Sequence, residues 1–166
     1  MQSKNTGQKE PLKQGWQLNF TLSAARQIAK KNGHKKLGTL HFLLAMLDGN
    51  NTGEFIIDRI LTCHGKNVDQ LLIALDYLYE RRGSDKTKNV PPLTQTARRV
   101  LQFAEEEARS LGGNTAQVGN DHLLLALTLG EDRIARALMR FGVSTSAVAE
   151  EMGYLGILNF ADEPHA

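Results

Sequence analysis

Apolar residues recur along this chain at helical spacing, in blocks separated by Gly, Asn and Pro. Leu18, Leu22, Ala25 and Ala29 fall at i, i+4, i+7 and i+11 with Ile28 beside them, so one stripe runs through a helix from about Trp16 to Lys31, and Asn32-Gly33 ends it. Trp16 is expected to pack over the start of that helix. The next block, Leu40-His41-Phe42-Leu43-Leu44-Ala45-Met46-Leu47, is apolar on nearly every side, which predicts a short, fully buried helix. Asp48 to Gly53 is a turn cluster. Ile56, Ile57, Ile60 and Leu61 then form the face of a helix from about Glu54 to Cys63, and Gly65 breaks it. Asn67 with Gln70 three residues on reads as a capping box, opening a helix whose stripe is Leu71, Leu72, Leu75, Leu78 and Tyr79 and which fades into Arg81-Arg82-Gly83.

After the polar, proline-ended run from Gly83 to Pro92, the same order of elements returns. Thr94 caps a long helix with Ala97, Val100, Leu101, Ala104, Ala108 and Leu111 on one face, and Gly112-Gly113 ends it. Val118-Gly119-Asn120-Asp121-His122, followed by an apolar run, repeats Leu37-Gly38-Thr39-Leu40-His41 at an offset of 81 residues. Thr39 and Asn120 read as N-caps of the two buried helices, Gly49 and Gly130 as their stops, and Leu44 and Leu125 as matched core positions of equal weight. A helix from about Glu131 to Phe141 carries Ile134, Ala135, Leu138 and Met139, Gly142 answers Gly65, and Ser144 caps a last helix through Met152. The expectation is an all-α protein of two tandem four-helix repeats with pseudo-twofold symmetry. Its parts are a disordered arm at 1–15, a first repeat at 16–82, a linker at 83–92, a second repeat at 93–152 and a loose tail at 153–166.

Composition narrows the function classes. Hydrophobic residues make up 41% and aromatics only 6%, which favours helix–helix packing. Net charge is +2 but uneven: residues 1–90 hold 14 Lys/Arg against 8 Asp/Glu, and residues 91–166 hold 6 against 10. A net +2 does not by itself imply a polyanionic partner. The single cysteine, Cys63, excludes an intrachain disulfide framework. The polar stretch Met1 to Gly15 has no apolar core of a secretory signal, and no apolar run has the length of a membrane span, so a soluble, cytoplasmic protein is expected.

The repeated motifs resemble the Clp ATPase N-terminal domain, a double Clp repeat of the ClpC/ClpA type that precedes AAA+ modules. The residues carrying the resemblance are Ala29-x-x-x-Gly33-His34-x-x-Leu37-Gly38-Thr39-Leu40-His41-Phe42-Leu43-Leu44-Ala45, Ala108 through Leu127, and Leu138-x-x-Phe141-Gly142-Val143-Ser144. No G-x-x-x-x-G-K-[ST] phosphate loop occurs, so no ATP chemistry is expected of these residues. The resemblance implies a non-enzymatic protein-binding module that docks substrates or adaptors for a Clp chaperone–protease, or regulates it. No catalytic residue, metal or cofactor is implied, nor any membrane partner; the partner is a Clp ATPase, an adaptor or an unfolded substrate. It also implies a ligand or peptide site at Thr39, Leu40, Asn120 and Asp121. The family's Glu before the His is Leu40 in the first copy and Asp121 in the second. In the ClpC-type branch that acid helps bind phosphoarginine, which this sequence would therefore admit at the second repeat only, because leucine cannot pair with a guanidinium.

His41 and His122, in the first turns of their helices, read as partly buried histidines bonded to neighbouring backbone, because no convergent set of metal ligands accompanies them. Cys63 beside His64 invites a nucleophile, yet nothing supplies an orienting acid or an oxyanion site. Lys30-Lys31 with Lys35-Lys36 is a basic cluster at a helix end, and a basic helical nucleic-acid-binding domain is the alternative function.

Overall fold

The structure, a computed structural model, describes residues 10–48, 51–76, 78, 89–112 and 117–160. They form α1 (Trp16–Lys31), α2 (Thr39–Leu47), α3 (Thr52–Cys63), α4 (Val68–Asp76), α5 (Gln95–Gly112), α6 (Asn120–Leu129), α7 (Arg133–Arg140) and α8 (Thr145–Phe160). The fold is all-α, as the periodicity predicts; among the described residues the extended pairing is confined to two isolated bridges. Gly49, Tyr79, Arg81-Arg82, most of the 83–92 run, Gly113 and the termini at 1–9 and 161–166 lie outside the described residues.

Local chemistry sets the helix ends. Asn67 and Gln70 form the full capping box: each side-chain oxygen accepts the other residue's backbone N–H at 2.9 Å. Asn51, Thr94, Asp132 and Ser144 each accept the N–H three residues on. Gly33, Gly65 and Gly142 have φ of 67°, 67° and 83°, the left-handed conformation that closes a helix with paired 6→1 and 5→2 bonds. In each, the following residue's N–H reaches back to Ala29, Leu61 or Leu138. Gly130, by contrast, ends α6 in an extended conformation.

α1 packs on α2, and α5 on α6, as the repeat requires. α6 is the more central of the two buried helices: besides α5 it touches α7, α8, α3, α1 and α2. Its Leu123, Leu124, Leu125, Ala126 and Leu127 are all buried, as are Phe42, Leu43, Ala45, Met46 and Leu47 of α2. Each fully buried Leu or Phe contributes about 1.5–3 kcal/mol relative to exposure.

The two repeats interlock reciprocally. Leu37, just before α2, donates to Pro92 O and accepts from Thr94 N–H, both at 2.9 Å. Val118, just before α6, donates to Lys13 O at 3.0 Å and accepts from Gly15 N–H at 2.9 Å. Each repeat thus pairs the lead-in to its buried helix with the lead-in to the other repeat's long helix, in parallel bridges Leu37–Leu93 and Gln14–Val118.

Several expectations need correcting. Residues 10–15 are not a free arm: besides the Val118 pairing, Leu12 N–H donates to Glu105 Oε1 at 2.9 Å. The last helix runs past Met152 to Phe160. Leu44 is only half-buried, unlike Leu125. Trp16 is 75% exposed because it lies about 200° around α1 from Leu18, on the solvent face that Phe20 shares. Met139 is exposed for the same kind of reason, five residues or about 140° on from buried Ile134. Leu111, in the last turn of α5, is exposed as well, so the apolar stripe outruns the core.

Candidate functional site

The candidate residues sit on two related first turns, those of α2 and α6. The N-caps are Gly38 and Gly119, one residue earlier than expected, and Thr39 and Asn120 are the first helical residues. The shift has a cause in the histidine three residues on. Gly38 N–H donates to His41 Nδ1 at 2.9 Å, and Gly119 N–H to His122 Nδ1 at 3.0 Å. A glycine N-cap has no side chain to cap the first turn, so the histidine supplies the one side-chain bond of a half capping box.

These bonds assign the rings. With Nδ1 accepting, His41 carries its proton on Nε2 and donates it to His34 Nδ1, 2.7 Å away. His41 is 6% exposed, and its pKa is lowered to about 4, first by burial and then by the neighbouring His34. At neutral pH it is an uncharged structural group. His122 Nδ1 likewise has its lone pair committed to Gly119, so the 3.2 Å approach of Asp121 Oδ1 to the same nitrogen is not an ion pair while the ring is neutral.

Thr39 and Asn120 are buried and Leu40 and Asp121 half-buried, so only the second member of each pair reaches the surface. Thr39 Oγ1 donates to Asp132 Oδ2 at 2.8 Å, which ties the first turn of α2 to the N-cap of α7 in the other repeat. Asn120 is 1% exposed, and neither side-chain polar atom has a hydrogen-bond partner. Leu40 packs against the core from its edge. Asp121 Oδ1 accepts its neighbour His122's N–H at 2.9 Å, and the carboxylate folds back over Gly119, where a Cβ would come within 2.6 Å of Oδ1. That geometry engages one oxygen locally. A guanidinium would meet the carboxylate end-on, through the other oxygen.

The remaining candidates do not converge. Cys63 is exposed, and the His64 ring next to it donates from Nδ1 to Ile60 O at 2.8 Å, pointing to its own helix end. Among the described residues no three His, Cys, Asp or Glu side chains are placed to hold a metal, and no helix is long and apolar enough to cross a membrane. The residue that sequence reasoning missed is Asp132. It caps α7 through Oδ1 and holds Thr39 through Oδ2. Its capping role was legible from an Asp just ahead of an apolar helix face; its hold on Thr39 was not.

The Clp repeat (R) N-terminal domain family matches residues 16–141. The chain is 33% identical over 129 residues to the chaperone protein ClpC, chloroplastic, of Pisum sativum, covering 77% of this chain and 13% of that protein. The chain thus spans a small part of the curated relative it matches. Among solved structures, a chain from "Preliminary structural investigations of a malarial protein secretion system" superposes with a TM-score of 0.72 at 20% identity, covering 86% of this chain and 93% of that one. The Hsp104 N-terminal domain from Candida albicans gives 0.64 at 18%, covering 84% and 87%. At these identities the solved structures speak to the fold alone.

Proposed function

The chain belongs to the Clp repeat N-terminal domain family, and from that premise we propose that it is a non-enzymatic protein-binding module, docking substrates or adaptors for a Clp chaperone–protease or regulating it. The observation that carries this reading is the pair of related first turns with unlike half-buried side chains, Leu40 on α2 and Asp121 on α6. Such turns recognise surfaces without bond chemistry: a helix N-terminus favours an anionic group, and a carboxylate beside it favours a cationic one. The two sites are therefore not equivalent. Leu40 offers apolar contact, whereas Asp121 offers one carboxylate oxygen to a guanidinium or ammonium group. Phosphoarginine, which carries both an anionic and a cationic part, is a ligand for the second repeat only. The compartment follows that of the Clp machine served: the expected cytoplasmic protein stands beside relatives that are chloroplastic.

The test is a calorimetric titration of the wild type, Asp121→Asn and Leu40→Glu with phosphoarginine and with an arginine-rich peptide. The wild type should show one site. Asp121→Asn keeps the shape and removes the charge, so it should weaken binding about tenfold, the scale of one charged hydrogen bond. Leu40→Glu should add a second binding event. Binding that persists unchanged in Asp121→Asn would overturn the assignment of this site.

A further inference from the structure

We infer that α7 presents a second recognition surface, a stripe of arginines that takes an acidic, partly apolar segment of a partner protein. This deepens the reading of the chain as a protein-binding module, but it uses residues other than Leu40 and Asp121. α7 buries Ile134, Ala135, Ala137 and Leu138 and exposes Arg133, Arg136, Met139 and Arg140. At about 100° per residue the four exposed side chains fall within an arc of about 120°, and the three arginines, at i, i+3 and i+7, run along about 10 Å of helix axis. Lys66 extends the stripe: its Nζ donates to Arg140 O at 3.1 Å and lies 4.9 Å from the centre of the Phe141 ring, fixing a further cation at the C-terminal end of α7.

None of the three arginines forms an ion pair among the described residues. Carboxylates are close in sequence and in the fold, but they are used or turned elsewhere. Asp132 has one oxygen on Ala135 N–H and the other on the Thr39 hydroxyl. α4 packs against α7 and exposes Asp69 and Asp76, neither of which reaches a stripe arginine. Like charges three and four residues apart on a helix repel, so the stripe costs the isolated fold something that an anionic partner would relieve. Guanidinium groups suit carboxylates because their planar fork pairs two oxygens at once.

The surroundings select a peptide over a nucleic acid. The stripe is short, the exposed Glu131 lies at its start, and residues 91–166 carry 6 Lys/Arg against 10 Asp/Glu, so an extended polyanion would run onto like charge. Met139, 63% exposed within the same arc, offers a soft apolar contact that a peptide side chain can use and a phosphodiester backbone cannot.

The experiment is fluorescence anisotropy on the full chain with three labelled probes: a peptide of repeated Glu-Glu-Leu units, its Gln-Gln-Leu counterpart, and a single-stranded oligothymidylate of equal charge. The Glu peptide should bind, with an affinity that falls as salt rises, and the Gln peptide should not. Replacing Arg133, Arg136 and Arg140 together by Gln should weaken the Glu peptide about tenfold, the combined scale of three exposed ion pairs. The thermal midpoint should not fall, since the variant relieves repulsion between like charges, and the phosphoarginine titration should not change. No binding of the Glu peptide, equal binding by the Gln variant, or tighter binding of the oligothymidylate would overturn the inference. Because the titration reads Asp121 separately, failure at the stripe leaves that site standing, and the reverse.

Discussion

Replacing Gly65 and Gly142 by alanine, one at a time, separates two costs that usually come together. The two glycines close α3 and α7 in the same way. Lys66 N–H bonds Leu61 O at 2.9 Å and Gly65 N–H bonds Thr62 O at 3.1 Å; Val143 N–H bonds Leu138 O at 2.9 Å and Gly142 N–H bonds Met139 O at 3.0 Å. Both glycines are left-handed, so alanine at either position carries a backbone penalty of about 1–2 kcal/mol. Their surroundings differ. A Cβ on residue 65 would meet nothing within 4 Å, whereas one on residue 142 would lie 2.7–2.8 Å from Nε2, Cδ2 and Cε1 of His64. The ring would have to swing away, and its bond to Ile60 O would go with it, a further loss of about 0.5–1.5 kcal/mol. Gly142→Ala should therefore be the more destabilising by about 1 kcal/mol. Urea unfolding followed by far-UV circular dichroism measures this, because the lone tryptophan, Trp16, is 75% exposed and its emission would change little. In a His64→Ala background the gap should close. Equal costs in the wild type, or a gap that survives His64→Ala, would refute the reasoning.

Stability should fall as the pH drops from about 6.5 towards about 4, because the unfolded His41 takes up a proton that the buried folded ring refuses; above that window the ring is neutral in both states. The loss should reach up to about 3 kcal/mol and be flattened in His41→Gln, as read from urea midpoints across that pH range. Leu125→Ala should cost about 2–5 kcal/mol, while Leu44→Ala, at the matching but half-buried position, should cost about 1–2 kcal/mol; equal costs would mean the two repeats pack alike. Thr39→Val removes the bond to Asp132 and leaves the Asp132 cap on Ala135 in place, so denaturant melts should show a loss of about 1 kcal/mol, abolished in an Asp132→Ser background that keeps the cap but lacks the second oxygen.

Much of the candidate site was legible in part. The two His-containing motifs located both first turns, and the contrast between Leu40 and Asp121 is a sequence fact that the structure leaves at the surface. The N-caps were misplaced by one residue because Thr and Asn are good caps by propensity, while the bond that decides the matter comes from a histidine ring reaching back to a glycine N–H. That one Asp121 oxygen is taken up by the His122 N–H is set by its rotamer, which the sequence does not carry. The arginine stripe was present in the spacing of Arg133, Arg136 and Arg140, but exposure and the lack of paired carboxylates appear only once α4 and the Asp132 bonds are in place.

What the sequence determined by itself is what short-range physics decides. Helix periodicity, the Asn67–Gln70 box and the left-handed glycines at 33, 65 and 142 each depend on residues within one or two turns, and the motif copies at an offset of 81 residues announced the duplication. Only the tertiary structure decided how the copies join. Thr39 meets Asp132 and Leu12 meets Glu105 across 93 residues, and the backbones at Leu37 and Val118 pair with strand-like segments that carry no apolar alternation of their own. Backbone N–H and C=O groups are the same in every residue but proline, so nothing in the composition of Lys13-Gln14-Gly15 marks it as a partner for Val118. The same holds for burial: the repeat makes Leu44 and Leu125 equivalent in sequence, and the central position of α6, which packs against more helices than α2 does, makes them unequal in the fold.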